Sequence, residues 1–457
     1  MSIRRHSHRP SAALALLALL ALLLPLLLTA CDANGLFSTG TAGGATGSTQ
    51  VVYWSADTTP IDVQAVDDII AAFNKSHPDI HVKGIVVPSN GGNDLTALMT
   101  AARGGTGPDV YLLDRFTVNQ QAAIGLLEDL QPFVSKEKAD LSTQYLPFAW
   151  KETLFQGHPY ALPLDTDARG LYYNKDLLRQ AGINPAVLDP SRGPMTLDQL
   201  KRIAFRLNQT DAHRIYSRVG FLPFEDQAFH TTWGIDFGAT FFDRAACQIT
   251  PTEPAMVQAF AFMYDWAKDM NASKVQTYLG SYLPANAPPN QYPFYSGQLA
   301  MTLSGDWFIS NIQEYAPKLN YGITYIPVVR GHTPFTWSGG FSLVIPQGAA
   351  HPAAAYRFMR FMAGPEGQRI YTRVTTHMPT WKALLTDNSL FSGRHVFLKN
   401  MLRYARSRPS LPVGAQLSDE FDTAQQKVVL NVATPLQALQ TVYKRVQPQL
   451  QQYCPVM

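Results

Sequence analysis

Hydrophobic positions in the first part of the chain change period in a regular order. Val51-Val52-Tyr53-Trp54 is a short apolar run that predicts a strand. Val63, Val66, Ile69, Ile70 and Phe73 then fall on one face at helical spacing, and His77-Pro78 stops that helix. Ile80 to Val87 predicts a second strand, Leu95 to Arg103 a helix closed by Gly104-Gly105, and Asp109 to Leu113 a third strand. Strand and helix in alternation predict an α/β fold with a parallel or mostly parallel sheet. Ligands of such sheets sit beyond the carboxyl ends of the strands, where Trp54 to Asp57 and Asp114-Arg115 fall. A second block begins near Leu171. Thr196 and Gln199 form a capping box ahead of a helix with Leu197, Leu200, Ile203, Ala204 and Leu207 on its buried face. Further helices are expected over Glu253 to Met270, Pro352 to Ala363 and Thr434 to Tyr453.

The N-terminus has a different texture. Arg4, Arg5 and Arg9 precede an apolar run from Ser11 to Ala30, which ends in Leu28-Thr29-Ala30-Cys31. This predicts a lipoprotein signal over 1–30, with Cys31 as the lipid-bearing first residue of the mature chain on the extracytoplasmic face of the membrane. An uncleaved anchor is the competing reading, but the run is near the spanning minimum of about 18 residues and Pro25 interrupts it. Residues 31–50, rich in Gly, Thr, Ser and Ala, read as a flexible tether.

With three arginines in the signal, the 37 basic and 34 acidic residues become balanced in the mature part, which argues against a nucleic-acid partner. Cys247 and Cys454 remain as a disulfide candidate in an oxidising compartment, with two buried thiols as the alternative. There is no CxxC, HExxH, calcium loop or P-loop, so metal and cofactor chemistry have no support. His77 and His81 flank a helix end and read as surface residues.

The order of short landmarks resembles a family. They are Phe73-Asn74-Lys75-Ser76-His77-Pro78, Gly107-Pro108-Asp109-Val110, Gly125 to Leu130, Tyr160-Ala161-Leu162-Pro163, Leu171 to Leu177, Gly297 to Met301, Gly305-Asp306-Trp307 and Gly339-Gly340. Together they resemble bacterial extracellular solute-binding proteins of the maltose-binding type, the lipoprotein receptors of ABC sugar importers. The resemblance implies a type II periplasmic-binding-protein fold with two α/β lobes, a cleft between them and three hinge crossings. Lobe 1 would be 51–165 plus 342–378, and lobe 2 would be 167–336 plus 385–457. The crossings would fall near Leu164 to Ala168, Gly339 to Ser342 and Met378 to Leu384. Cys247 and Cys454 would both belong to lobe 2. A monomer that captures a carbohydrate and delivers it to a membrane permease, with no chemical step, is the implied function. Maltose, a maltodextrin or another oligosaccharide or α-glucoside is the implied ligand.

A sugar site needs carboxylates, amides and arginines for hydroxyls and aromatic planes for C–H faces. Asp57, Asp114-Arg115 and Asp167 match the family's polar contacts, and Trp307 its stacking aromatic. Trp233, Trp337 and Trp54 are further aromatic candidates. Phe421 sits where the family often has another, and at most one of Tyr172 and Tyr173 faces the cleft. Trp266 reads as core. Phe221 to Gly238 lacks the family's glutamate–tyrosine pair, with Glu225, Gln227 and Phe229 as substitutes, and Tyr278 to Tyr295 looks inserted. Two other functions compete. A secreted glycoside hydrolase would use Asp57, Asp114 and Asp167 as paired carboxylates. A receptor for glycerol phosphate or a polyamine is the other, and a phosphate would want several convergent arginines, for which Arg115, Arg169 and Arg373 are the candidates.

Overall fold

The computed structural model describes residues 47–456 apart from 57–58, 88–94 and 285–286. The predicted signal, Cys31 and Asp57 therefore lie outside the described residues.

Strand β1 (Thr49–Ser55) turns Val51, Tyr53 and Ser55 inward. Helix α1 (Pro60–Ser76) follows, with Pro60 in its first turn and the Thr59 side chain accepting from the Asp62 amide. Its buried face is Ala65, Val66, Ile69, Ile70 and Phe73, which holds four positions of the predicted stripe and adds Ala65, while the fifth, Val63, is only half-buried. Strand β2 (Ile80–Val86) lies parallel to β1 with Val82 beside Val51. Helix α2 (Thr96–Arg103) leads to β3 (Val110–Asp114), also parallel to β1. Then come β4 (Leu162–Pro163), β5 (Asp165–Thr166) and β6 (Gly170–Asn174).

Helix α3 (Leu197–Leu207) carries the Thr196–Gln199 capping box and buries Leu200, Ala204 and Leu207. Helices α4 (His230–Phe237) and α5 (Pro254–Asp269) precede β7 (Met301–Ser304), α6 (Phe308–Tyr315), β8 (Tyr321–Thr324) and β9 (Thr336–Ser338). The chain continues with β10 (Phe341–Val344), α7 (Pro352–Met362), α8 (Pro365–Thr375), β11 (Met378–Pro379) and β12 (Ala405–Ser407). It closes with α9 (Gly414–Val429) and α10 (Pro435–Leu450), the latter opened by a second capping box at Thr434 and Gln437.

Two separate hydrophobic cores result. One takes residues from Val51 to Leu164 and from Leu343 to Tyr371, with a satellite cluster around Leu98, Leu113 and Val344. The other takes residues from Ala168 to Trp337 and from Met378 to Leu450, including Trp266. Each core is one lobe of a two-lobe type II periplasmic-binding-protein fold, and the described chain passes between them three times. Lobe 1 is built on a five-stranded sheet in the order β2-β1-β3-β10-β4. Its first three strands are parallel, but β10 runs antiparallel to both β3 and β4. The expected parallel sheet is therefore mixed, because β10 returns from the other lobe instead of following a crossover helix. Lobe 2 holds an antiparallel sheet in the order β7-β6-β8. At the crossings β5 pairs with β11, placing Thr166 opposite Met378.

Cys247 and Cys454 are bonded to each other within lobe 2, linking residues 207 positions apart. Among the described residues no helix is long and apolar enough to cross a membrane, and no group of three His, Cys, Asp or Glu is placed to hold a metal ion.

Candidate functional site

A cavity of about 410 Å³ lies between the two cores, within the size range of small-molecule sites, roughly 300–1,000 Å³. Loops at the ends of strands and the starts of helices supply most of its wall. Asp114 is the last residue of β3. Thr59, Ile61 and Asp62 stand at the N-terminal turn of α1, just after β1. These are the positions beyond strand ends where open α/β sheets bind ligands. From lobe 2 come Asp167 and Arg169 between β5 and β6, Gln227 and Phe229 ahead of α4, and Trp307 with Ser310 and Asn311 at the start of α6. Trp337, Gly340, Phe341, Thr375, His377 and Arg408 complete the wall.

Each arginine on this wall already has a carboxylate. Arg408 Nη2 donates to Asp114 Oδ1 at 2.9 Å and Oδ2 at 3.2 Å. Arg169 donates through Nη1 to Asp167, through Nη1 to the Trp337 carbonyl at 2.9 Å and through Nε to Gln227 at 2.9 Å. Asp167 also accepts from the Gly339 amide at 2.7 Å. Burial lowers the Arg169 pKa, with the Asp167 carboxylate opposing the shift.

The aromatic face is built by local geometry. Gly305 lets the Trp307 ring fold back, since a Cβ there would lie 1.9 Å from the ring. Trp307 stays half-buried, its ring 5.6 Å from that of His377 at an angle of 24°. His377 Nδ1 is 3.3 Å from Asp165 Oδ2, and its Nε2 is 4.0 Å from Asp62 Oδ1. Burial pushes the Asp165 carboxyl up to about 6, with His377 opposing the shift. The carboxyl of Asp306 is raised well above its ordinary value by burial, with Asp167 and Asp165 adding repulsion.

Of the residues singled out in the sequence, Asp114, Asp167, Trp307 and Trp337 line the cavity. Trp337 offers little surface, because its ring is buried under Arg169, whose guanidinium carbon is 3.2 Å from the ring centroid. Arg115 requires correction. It is fully buried away from the cavity, donating to Glu152 Oε2 at 2.6 Å, to the Asp165 carbonyl at 2.6 Å and to the Gly339 carbonyl. It ties the crossing strands together. Gly340 packs against it at φ +125°, where a Cβ would be 2.4 Å from the Asp165 carbonyl. Trp233 also requires correction: its indole is buried in the lobe 2 core and donates to the Pro223 carbonyl at 2.6 Å. Trp54 packs half-buried against the satellite cluster of lobe 1, off the cavity wall.

Of the substitutes in Phe221 to Gly238, Gln227 and Phe229 line the cavity and Glu225 does not. Tyr172, Tyr173 and Phe421 are buried in the lobe 2 core, and Arg373 is absent from the wall while Arg169 is on it. Sequence reasoning missed Arg408, His377 and Asp62. A signal existed for Asp62, which sits in the first helical turn after a strand end. Arg408 and His377 had none, since their proximity to Asp114 and Asp62 exists only after the chain has crossed back between lobes.

Comparison with known proteins agrees with this architecture. The profile of the bacterial extracellular solute-binding protein family matches residues 56–369. The sn-glycerol-3-phosphate-binding periplasmic protein of Escherichia coli strain K12 is 26% identical, over 88% of this chain and 93% of its own. Among solved structures, a mannobiose-bound protein called CpMnBP1 superposes with a TM-score of 0.77 at 22% identity, covering 88% of this chain and all of its own. The GacH receptor of Streptomyces glaucescens, solved free and with acarbose, gives 0.72 at 22% identity over 88% of this chain and 99% of its own. Maltose-bound MalE3 of T. maritima gives 0.68 at 22% identity over 89% of this chain and all of its own. With the profile spanning more than half of its length, the chain belongs to the bacterial extracellular solute-binding protein family.

Proposed function

We propose that this protein is the receptor of an ABC importer for a neutral carbohydrate, held by the lipid on Cys31 and passing its ligand to a membrane permease. Maltose, a maltodextrin or a related oligosaccharide is the ligand class. One observation carries the reading: the cavity joins half-buried aromatic planes at Trp307, Phe229 and Phe341 to the carboxylates Asp62, Asp114 and Asp167, while its two arginines are already paired. Carboxylates accept strong charge-assisted hydrogen bonds from sugar hydroxyls, and aromatic rings cover the C–H faces. Closing the lobes over the ligand removes water and strengthens those bonds. The ligand shifts the population toward the closed form by its preference for that form.

The sn-glycerol 3-phosphate alternative is favoured by the name of the Escherichia coli relative. Against it, a phosphate here would face three carboxylates with no unpaired arginine on the wall. A thermal-shift and calorimetric screen of the purified protein separates the readings. Maltose, maltotriose or mannobiose is expected to stabilise it by about 2.7 kcal/mol at a hundredfold excess over Kd, and sn-glycerol 3-phosphate to leave it unchanged. The reverse pattern would replace the ligand class, and hydrolysis of an aryl glycoside would restore the enzyme reading.

A further inference from the structure

We infer that a small oxyanion of the phosphate class binds between the lobes on the far side of Arg408, where cations from both lobes lack counter-charges, and that it acts as an effector of sugar capture. The coupling to sugar rests on the carbohydrate reading above; the binding of the anion does not.

A second cavity, of about 450 Å³, shares Arg408 with the first. Lobe 1 walls it with Phe148, Lys151 and the Gln156-Gly157 turn, and lobe 2 with Phe242 and Arg244. The two cavities differ in charge. The first gathers Asp62, Asp114 and Asp167 around two arginines that are already paired. The second gathers Lys151, Arg244 and Arg408 around one carboxylate, Glu152, and that carboxylate is buried against Arg115.

The cations of the second cavity are free to take a ligand. Lys151 and Arg244 are exposed, and neither side chain has a hydrogen bond or an ion pair among the described residues. Asp243, beside Arg244, turns its carboxylate to the amides of Ala245 and Ala246 at 2.9 and 3.0 Å. Arg408 gives Nη2 to Asp114, and its Nη1 has no hydrogen-bond partner among the described residues. A single solvated cation needs no partner. Three around one gap repel each other, and a cleft lined by one sign of charge concentrates ions of the other sign. An oxyanion suits them, since arginine binds its oxygens as a planar fork and lysine as a point charge.

An anion that takes Lys151 from one lobe and Arg244 from the other holds the lobes near the separation seen here. This is also the separation at which both lobes wall the first cavity. A ligand that prefers one arrangement shifts the population toward it, so sugar and anion should each raise the affinity of the other by the same factor.

The test is calorimetry of the purified protein with inorganic phosphate at constant ionic strength, with and without a saccharide that it binds. Wild type is compared with Lys151→Gln, Arg244→Gln and, as a control, Lys318→Gln, which alters an exposed lysine away from the cavity. Phosphate should bind wild type and the control alike, and each cavity variant should weaken it by about tenfold or more. Saturating phosphate should tighten saccharide binding by about fivefold, and both cavity variants should lose that gain while binding the saccharide as wild type does without phosphate. No binding of phosphate, or binding that the control weakens as much as the cavity variants do, would overturn the site. Phosphate that competes with the saccharide would belong to the first cavity and would also overturn it, and phosphate that leaves saccharide affinity unchanged would overturn the effector role. If wild type binds no saccharide, the carbohydrate reading fails, and the phosphate titration of the four proteins still decides the site.

Discussion

Arg408 reaches across from lobe 2 to Asp114 on lobe 1, its Nη2 2.9 Å from Oδ1 and 3.2 Å from Oδ2. The pair joins the lobes at the cavity wall, and both side chains keep some solvent contact, so its own contribution to stability is small. On the carbohydrate reading proposed above, its weight falls on the ligand. Asp114→Ala removes an ionised acceptor and leaves Arg408 unpaired, so affinity for the bound sugar should fall by about tenfold to a hundredfold, as expected for hydrogen bonds to charged groups. Arg408→Ala leaves the acceptor in place and should cost less. Calorimetry of both variants decides the order; an unchanged Kd for Asp114→Ala would remove this carboxylate from the site.

Trp307 and Trp233 should separate affinity from stability. Trp307 is half-buried on the cavity wall and Trp233 is sealed in the lobe 2 core. Trp307→Ala is expected to weaken sugar binding by about 2 kcal/mol, as for a central aromatic contact. Trp233→Ala is expected to cost roughly 3–5 kcal/mol of stability by emptying a core site, with the affinity of the folded protein retained. Urea unfolding and calorimetry on the same preparations would expose a reversed pattern.

These two tryptophans also mark what was legible in the sequence. Apolar periodicity located α1 and its buried face, and landmark order located two lobes. Both are local properties, set by a helical stripe and by short motifs. Exposure of a single ring is not local. Trp307 faces the cavity because Gly305 lets it turn back, whereas Trp233 sits inside α4 with neighbours from distant segments around it. Arg115 follows a strand end as a binding residue would, yet the returning segment at Gly339 and Gly340 covers it. Arg408 depends on a contact between residues 294 positions apart, and no pattern of spacing reports that.

Arg115 should behave as a structural residue. Its guanidinium is fully buried with Glu152, and it holds two carbonyls of the crossing segments. Arg115→Ala leaves the Glu152 carboxylate buried without its cation, a change that costs roughly 3–5 kcal/mol. The double variant Arg115→Ala with Glu152→Gln should recover part of the loss. Denaturant unfolding measures both, and a single variant as stable as wild type would refute this role.

The Cys247–Cys454 bond joins two residues of lobe 2 and closes a long loop that includes the lobe 1 segment from Leu343 to Tyr371. Its reduction, or Cys247→Ser, should lower stability by about 2–4 kcal/mol through the larger entropy of the unfolded chain. Because the bond does not cross between lobes, ligand affinity at temperatures below melting should stay the same. A Kd that changes on reduction would show that the bond controls closure.

Two buried groups, Asp165 at a lobe crossing and His395 in a helix of lobe 2 (Arg394–Met401), should give opposite dependences on pH. Burial raises Asp165 from its ordinary 3.8 to about 6. Between those values the folded state keeps a proton that the unfolded state has lost, so this group's contribution to stability falls as pH rises. The loss is complete above about pH 6 and amounts to about 3 kcal/mol. Asp165→Asn should therefore match wild type near pH 4 and exceed it at pH 7. His395 is the reverse case: burial lowers it from 6.5 to about 4. The unfolded state takes up a proton first, so this contribution is present above pH 6.5 and is lost as pH falls toward 4. His395→Gln should consequently compare best with wild type in acid. Unfolding free energies of the three proteins at several pH values between 4 and 7 test both signs, and variant-minus-wild-type differences that do not change with pH would refute the two assignments.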